Sequence, residues 1–131
     1  MTDQPIRIPG PDHPIAIAPG DAHVVVRAGG KVIVDTRRAL VLREATYPPV
    51  YYLPREDADM AALERSDHSS YCPYKGEASY YSVTAGGAKS RNAIWTYETP
   101  HAAVASIRDY LAFYPDRVDS IEIEEIAAAP H

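Results

Sequence analysis

Residues 23–35 read HVVVRAGGKVIVD, two valine-rich runs joined by a pair of glycines. Gly29 and Gly30 can take the positive φ angles that a two-residue hairpin turn requires. The pattern therefore predicts two antiparallel strands, over residues 23–28 and 31–35. Antiparallel β-structure is the starting point for interpreting the rest of the chain.

Short runs of alternating apolar and polar residues extend this β-pattern in both directions. Ile15 and Ile17 alternate within a proline-rich stretch and are expected at a sheet edge. The remaining runs predict strands over residues 38–44, 50–53, 77–83, 92–98 and 118–123. The last of these strands is expected to place Ile121 and Ile123 on its inner face.

Two segments have the features of helices. A short helix is predicted over residues 57–65, with Asp57 as its N-cap. A longer helix is predicted from the Thr99-Pro100 pair to Tyr114, because Pro is tolerated in a first helical turn and Pro115 ends the pattern. Apolar residues of this helix recur at steps of three and four, at Val104, Ile107, Leu111 and Tyr114. The predicted fold class is mainly β (α+β), with antiparallel sheets, one C-terminal helix and one short helix.

The chain has 131 residues, which is enough for one domain with a substantial core. Five prolines among the first 20 residues predict an extended N-terminal arm over residues 1–12. Residues 13–126 are interpreted as a single domain, and residues 127–131 as a frayed tail.

Charge and composition argue against several classes of protein. The net charge is −5 and no run of Lys or Arg stands out, so nucleic acid is not expected as a partner. Neither a signal peptide nor an apolar stretch long enough to span a membrane is evident. The single cysteine excludes an internal disulfide, which fits a cytoplasmic location.

The densest group of polar and aromatic side chains lies at residues 66–76, which read SDHSSYCPYKG. The segment has no regular hydrophobic period, so we predict a loop between the short helix and the following strand. Loops with this many reactive side chains often carry function. Gly76 is expected to serve a turn that needs a positive φ angle.

Cys72, in this segment, has two interpretations. As a catalytic residue it would be a nucleophile or redox centre, with His68 accepting or steering a proton and Lys75 stabilising negative charge. As a structural residue it would be a small buried apolar side chain, the usual state of a free cysteine. A structural zinc site needs about four Cys or His ligands, which this chain does not supply. No metal and no cofactor are predicted.

A binding site made from several segments is the other source of candidate residues. Trp95 and Tyr97 share one face of their predicted strand, which would belong either to the core or to a pocket. Arg43 and Glu44 lie at a strand end, where they would form either surface ion pairs or polar anchors on a cavity rim. The chain has ten tyrosines but only one Phe and one Trp, as expected either for exposed sheet faces or for a half-polar cavity. The candidate ligand-binding residues are Arg43, Glu44, Tyr51, Tyr74, Lys75, Gly76, Trp95, Tyr97 and Glu98.

Several blocks of the chain, in this order, closely resemble the bacterial family called domain of unknown function 427. They are Leu42-Arg43-Glu44, Tyr47 to Tyr52, Pro54 to Asp57, Cys72-Pro73-Tyr74-Lys75-Gly76, Ala78 to Tyr81 and Trp95 to Glu98. The resemblance extends from about His13 to about Val118.

The resemblance implies a compact β-tent-like fold, similar to methionine-sulfoxide reductase B and the ligand-binding module of cereblon. Those relatives often hold zinc between two Cys pairs, which are absent here. The family is sometimes listed under a nucleotidyltransferase-like label, but no acidic metal-binding pair or phosphate loop is evident in this sequence.

Three functions follow as alternatives. The first is a small-molecule-binding domain with a polar and aromatic pocket around the Cys-Pro-Tyr-Lys-Gly loop. The second is an enzyme that uses Cys72 as nucleophile or redox centre. The third is a structural or protein-interaction domain, with a homodimer as one form of it.

Overall fold

A computed structural model describes residues 4–126 of the chain. The described part contains ten strands, in chain order β1 to β10: Ile15–Pro19, Ala22–Ala28, Lys31–Thr36, Leu40–Glu44, Val50–Tyr52, Leu63–Cys72, Gly76–Val83, Ile94–Thr96, Leu111–Phe113 and Ser120–Glu125. Its helical segments are all short 3-10 turns: Arg55–Asp57, Met60–Ala62, Thr84–Ser90, Ala102–Ile107 and Pro115–Arg117. The predicted class, mainly β, is confirmed.

The strands form three antiparallel sheets. The first sheet has the order β1-β4-β5, the second β10-β2-β3 and the third β6-β7-β8-β9. Leu53, just after β5, exchanges two backbone hydrogen bonds with Leu111 of β9, at 2.7 and 2.8 Å. This exchange joins the first sheet to the third, so the two sheets share a continuous interior.

The glycine-linked hairpin forms as its sequence predicts. Gly29 and Gly30 have φ angles of +59° and +75°, and Val26 lies opposite Val34 across β2 and β3. On the other edge of β2, Ile121 of β10 lies opposite the same Val26. The prediction that Ile123 faces inward is only half correct, because its side chain is 43% exposed at the sheet edge.

Two clusters of buried side chains form the core. One lies against the second sheet and includes Val24, Val26 and Phe113; the other includes Leu42 and Ile107. Full burial of a Val, Leu, Ile or Phe side chain stabilises a fold by roughly 1.5–3 kcal/mol. Each core cluster combines residues from strands that are distant in the sequence, so contacts between distant parts of the chain stabilise the strands.

The predicted long helix from Thr99 to Tyr114 is wrong. A 3-10 segment covers Ala102–Ile107, and Val104 within it has non-helical angles of φ −124° and ψ 28°. Asp109 then takes a φ of +65°, and Leu111–Phe113 forms β9 beside β8. Val104, Ile107 and Leu111 of the expected apolar stripe are buried all the same, the first two in the 3-10 segment and the third in β9. In β9, hydrogen bonds to a neighbouring strand replace the helical ones.

The predicted short helix at residues 57–65 and the predicted loop at residues 66–76 are also wrong. Two 3-10 turns precede β6, which begins at Leu63 and runs to Cys72. The Asp57 carboxylate caps no helix; it accepts hydrogen bonds from Thr36 and Arg38 instead. Strand β6 lies at a sheet edge, paired only with β7, and its mostly exposed side chains show no hydrophobic alternation.

The predicted frayed tail at residues 127–131 lies outside the described residues. Between residues 4 and 126, no helix has the length and apolar character needed to cross a membrane.

Candidate functional site

A cavity of about 300 Å³ lies where the first and third sheets meet. Its wall is mainly aromatic, and we call it the tyrosine chamber. The aromatic side chains that line it are Tyr47, Tyr52, Tyr80, Tyr97, Tyr114 and Trp95. Leu42, Glu44, Ser70 and Lys75 complete most of the remaining wall.

Strand alternation explains why these side chains converge. Leu42 and Glu44 are two residues apart on β4 and therefore face the same side of the first sheet. Tyr80 on β7 lies directly opposite Trp95 on β8 in the third sheet. Since the two sheets are joined at Leu53 and Leu111, their aromatic faces enclose one space.

Inside the chamber, Glu44 bridges a lysine and a histidine. The Lys75 ammonium donates to Oε1 of Glu44 at 2.5 Å, and Nε2 of His13 lies 2.7 Å from Oε2. The Lys75 and Glu44 side chains are only 12% and 11% exposed. Burial by itself raises the pKa of Glu44, but the hydrogen bonds and charges of Lys75 and His13 outweigh it, so this pKa is lowered. The carboxylate is therefore ionised and already occupied by two partners.

The backbone of the Cys-Pro-Tyr-Lys-Gly segment aims Lys75 into the chamber. The N–H of Lys75 donates to the carbonyl of Cys72 at 3.2 Å, which closes a tight turn. Gly76 has a φ of +111°, as predicted, and a Cβ there would lie 3.3 Å from Cδ2 of His101. His101 in turn donates its backbone N–H to the Lys75 carbonyl at 2.9 Å. The turn thus needs a residue without a side chain directly after the lysine.

The phenols of Tyr52, Tyr97 and Tyr114 stay protonated at neutral pH. Burial raises the pKa of Tyr52 and of Tyr97, and it raises the pKa of Tyr114 to about 12. The Tyr52 hydroxyl accepts a hydrogen bond from the Trp95 indole at 3.3 Å, and the Tyr80 hydroxyl pairs with Ser70 at 2.8 Å. A protonated phenol both donates and accepts, so this wall suits uncharged polar groups.

The N-terminal arm passes over the outside of the same loop. The Tyr71 hydroxyl donates to the Pro5 carbonyl at 2.7 Å, and the Arg7 N–H donates to the Pro73 carbonyl at 2.9 Å. The His13 ring stacks on Tyr74 with centroids 4.0 Å apart. Sequence reasoning missed His13, because no local spacing relates it to Glu44, 31 residues away.

The structure brings together only part of the predicted ligand-binding set. Glu44, Lys75, Trp95 and Tyr97 line the tyrosine chamber, while Gly76 and Tyr74 lie in the turn beside it.

The other three predicted residues face elsewhere. Arg43 is exposed, because alternation along β4 points it away from Glu44. Tyr51 lines a neighbouring cavity. Glu98 pairs with Arg65 at 2.7 Å and with Arg55 at 3.3 Å in a separate ionic cluster. The pKa of Glu98 is lowered to about 2, and the main cause is the hydrogen bond from Arg65.

Cys72 and His68 are not brought together. Both lie on β6, where four residues of extended strand span up to roughly 13 Å. His68 is exposed and packs against the Tyr80 ring at 4.5 Å. Cys72 is half-buried and packs against the core cluster that contains Tyr52 and Tyr97.

A second cavity, of about 540 Å³, adjoins the tyrosine chamber and has a largely apolar wall. We call it the apolar chamber. Its walls include Val24 and Val26 of β2, Ile121 and Ile123 of β10, and Phe113 of β9. Tyr47, Pro48, Val50 and Trp95 line both chambers.

Comparison with known protein families gives a match over most of the chain. A family model described as Domain of unknown function (DUF427) matches residues 16–124. No curated protein sequence matches the chain significantly. The matched range includes every residue named above as lining the tyrosine chamber, while His13 and the N-terminal arm lie before it.

Proposed function

The chain belongs to the family described as domain of unknown function 427, and we propose that it is a small-molecule-binding domain whose ligand occupies the tyrosine chamber. The observation that carries the proposal is the convergence of six aromatic side chains and one buried Lys75–Glu44 ion pair on a single cavity. Small-molecule sites are typically concave, largely aromatic or apolar, and equipped with a few convergent polar groups.

The charges of the chamber favour an uncharged ligand. Lys75 is already paired with Glu44, so the two charges offset each other, and the nearby phenols are neutral. An anion would have to compete with Glu44 for the ammonium, and a cation would have to compete with Lys75 for the carboxylate. A flat molecule that carries a carbonyl, hydroxyl or amide group would hydrogen-bond to the tyrosines without disrupting that pair.

The single tryptophan provides a direct test, because Trp95 lines the chamber and a ligand bound there should change its emission. Three probes of one shape and different charge are suitable: benzamide, benzoate and benzamidinium. We expect benzamide to shift Trp95 emission saturably and to bind at least tenfold more tightly than either ion. The proposal would be contradicted if all three probes bound equally or if none of them bound.

Matched variants separate this site from non-specific binding. Tyr97→Phe removes one buried hydroxyl from the chamber and should weaken benzamide binding about fivefold or more. Tyr81→Phe is the control, because the Tyr81 hydroxyl on β7 lies outside the chamber and contacts Arg55. This variant should leave benzamide binding unchanged.

The alternative of an enzyme with Cys72 as nucleophile has less support, since the predicted proton acceptor, His68, lies elsewhere on β6. The rate of thiol alkylation against pH tests it, and an apparent thiol pKa well below about 8.5 would favour it. A homodimer, a bacterial origin and a cytoplasmic location remain predictions from the sequence.

A further inference from the structure

The apolar chamber is open at its rim although its floor is deep in the core. Val24 and Val26 at the floor are fully buried, whereas Tyr47 and Ile123 at the rim are 60% and 43% exposed. An apolar cavity of about 540 Å³ is in the range of cavities that hold small molecules, and water gains few hydrogen bonds in it. Exposed large apolar side chains around such a cavity are typical of a binding groove.

The two chambers adjoin each other along a shared wall. Trp95, Val50, Pro48 and Tyr47 line both, and the Trp95 indole N–H points to Tyr52 on the polar side. Tyr47 and Pro48 belong to the connection between β4 and β5, so one short segment borders both cavities. A molecule that enters beside this segment meets several hydrogen-bonding groups on one side and mostly apolar side chains on the other.

We propose that one amphipathic, uncharged ligand occupies both chambers. Its polar end lies among the tyrosines beside Lys75 and Glu44, and its hydrocarbon part fills the apolar chamber against Val26, Ile121 and Phe113. This inference rests on the proposed function and adds the chemical class of the ligand. The two parts are matched to the two walls: the polar end meets neutral phenols, and the hydrocarbon part meets mostly aliphatic and aromatic carbon.

A series of para-alkylbenzamides tests the proposal, because it keeps the benzamide end constant while the alkyl chain lengthens. Binding is read from Trp95 emission on the full chain. Burial of one CH₂ group should lower Kd about fourfold, so we expect a fourfold fall per carbon until the apolar chamber is filled. The corresponding alkylbenzoates should bind more weakly at every chain length.

One filling variant and one matched control locate the effect. Ile123→Trp places an indole at the rim of the apolar chamber and should remove the chain-length dependence. Because the new indole in either tryptophan variant also emits, binding to the variant and to its control is measured by calorimetry. Ile8→Trp adds the same side chain on the arm, at a site that is 82% exposed and lines neither chamber, and should change nothing.

The possible failures are distinguishable. Benzamide binding without any gain from longer chains would overturn this inference and leave the proposed function standing. Absence of benzamide binding would contradict the proposed function itself. Chain-length dependence that survives in Ile123→Trp would place the alkyl group elsewhere and overturn the inference. Sedimentation could also show a dimer that dissociates in the Ile123→Glu variant. If alkylbenzamide binding then has no chain-length dependence, the apolar chamber is an interface with a second copy, and the inference is overturned.

Discussion

Lys75 and Glu44 lie 31 residues apart in the sequence, yet the lysine ammonium donates to the glutamate carboxylate at 2.5 Å inside an aromatic cavity. Glu44 ends β4 of the first sheet, and Lys75 lies in the turn that connects β6 to β7 of the third. The ion pair therefore connects the first and third sheets at the candidate site. Its partial burial makes each charge depend on the other, since a buried charge without a partner is costly.

Removing one member of this pair should destabilise the fold more than removing both. Lys75→Met leaves the Glu44 carboxylate with only His13 as a partner, and we expect a loss of about 3 kcal/mol in the free energy of unfolding. The double variant Lys75→Met with Glu44→Gln has no unpaired charge and should lose less than the single variant. Urea denaturation of both single variants and the double variant measures the coupling. Additive effects would show that the pair is not energetically linked.

Stability should fall in acid partly because of Glu98. Its pKa is lowered to about 2, chiefly by the hydrogen bond from Arg65. A carboxyl whose pKa is lower in the folded than in the unfolded chain contributes stability above its unfolded pKa and loses it as pH falls through the folded value. The contribution of Glu98 is therefore present above an unfolded value of about 4.5 and declines from there towards pH 2.

Urea denaturation at a series of pH values checks this dependence. Glu98→Gln should flatten the stability curve between about pH 4.5 and 2. Glu77→Gln, on an exposed position of β7, is the matched control and should leave the slope as it is. An unchanged slope in Glu98→Gln would contradict the ionic cluster with Arg65.

Gly76→Val should disturb the turn that positions Lys75. The backbone at Gly76 has a φ of +111°, which a β-branched residue strongly disfavours, and the added Cβ would press on His101. We expect a loss of roughly 1–3 kcal/mol in stability. Gly10→Val is the control, because a Cβ there meets nothing within 4 Å. Thermal and urea unfolding measure both variants, and equal stabilities would rule out strain at residue 76.

Leu111→Ala should be strongly destabilising although Leu111 lies in a strand rather than in the predicted helix. Its side chain is fully buried, and its backbone pairs with Thr96 of β8 and with Leu53 just after β5. Truncation of a buried leucine costs about 2–5 kcal/mol. Ile8→Ala, at an exposed arm position, should change stability by less than about 0.5 kcal/mol. A loss at Leu111 as small as that at Ile8 would mean that this strand packs differently.

Local sequence was sufficient for the elements whose determinants lie within a few residues. The Gly29-Gly30 hairpin and the positive φ of Gly76 follow from the freedom of glycine, and the alternating runs mark β4, β5 and β7. The same reasoning failed for Val104 to Tyr114, where steps of three and four imitate a helix. There, pairing of Leu111 with Thr96 and with Leu53 provides the backbone hydrogen bonds that a helix would otherwise make.

The residue types of the candidate site were visible in the sequence, but their grouping was not. Glu44, Lys75, Trp95 and Tyr97 were predicted together with Arg43 and Glu98, which face away from the tyrosine chamber, and with Tyr51, which lines the apolar chamber. Alternation within one strand determines which of two neighbours shares a face, whereas sheet register and the junction at Leu53 decide which faces meet. His13 reaches Glu44 only through that tertiary arrangement, because side-chain preferences act over a few residues and this contact spans 31.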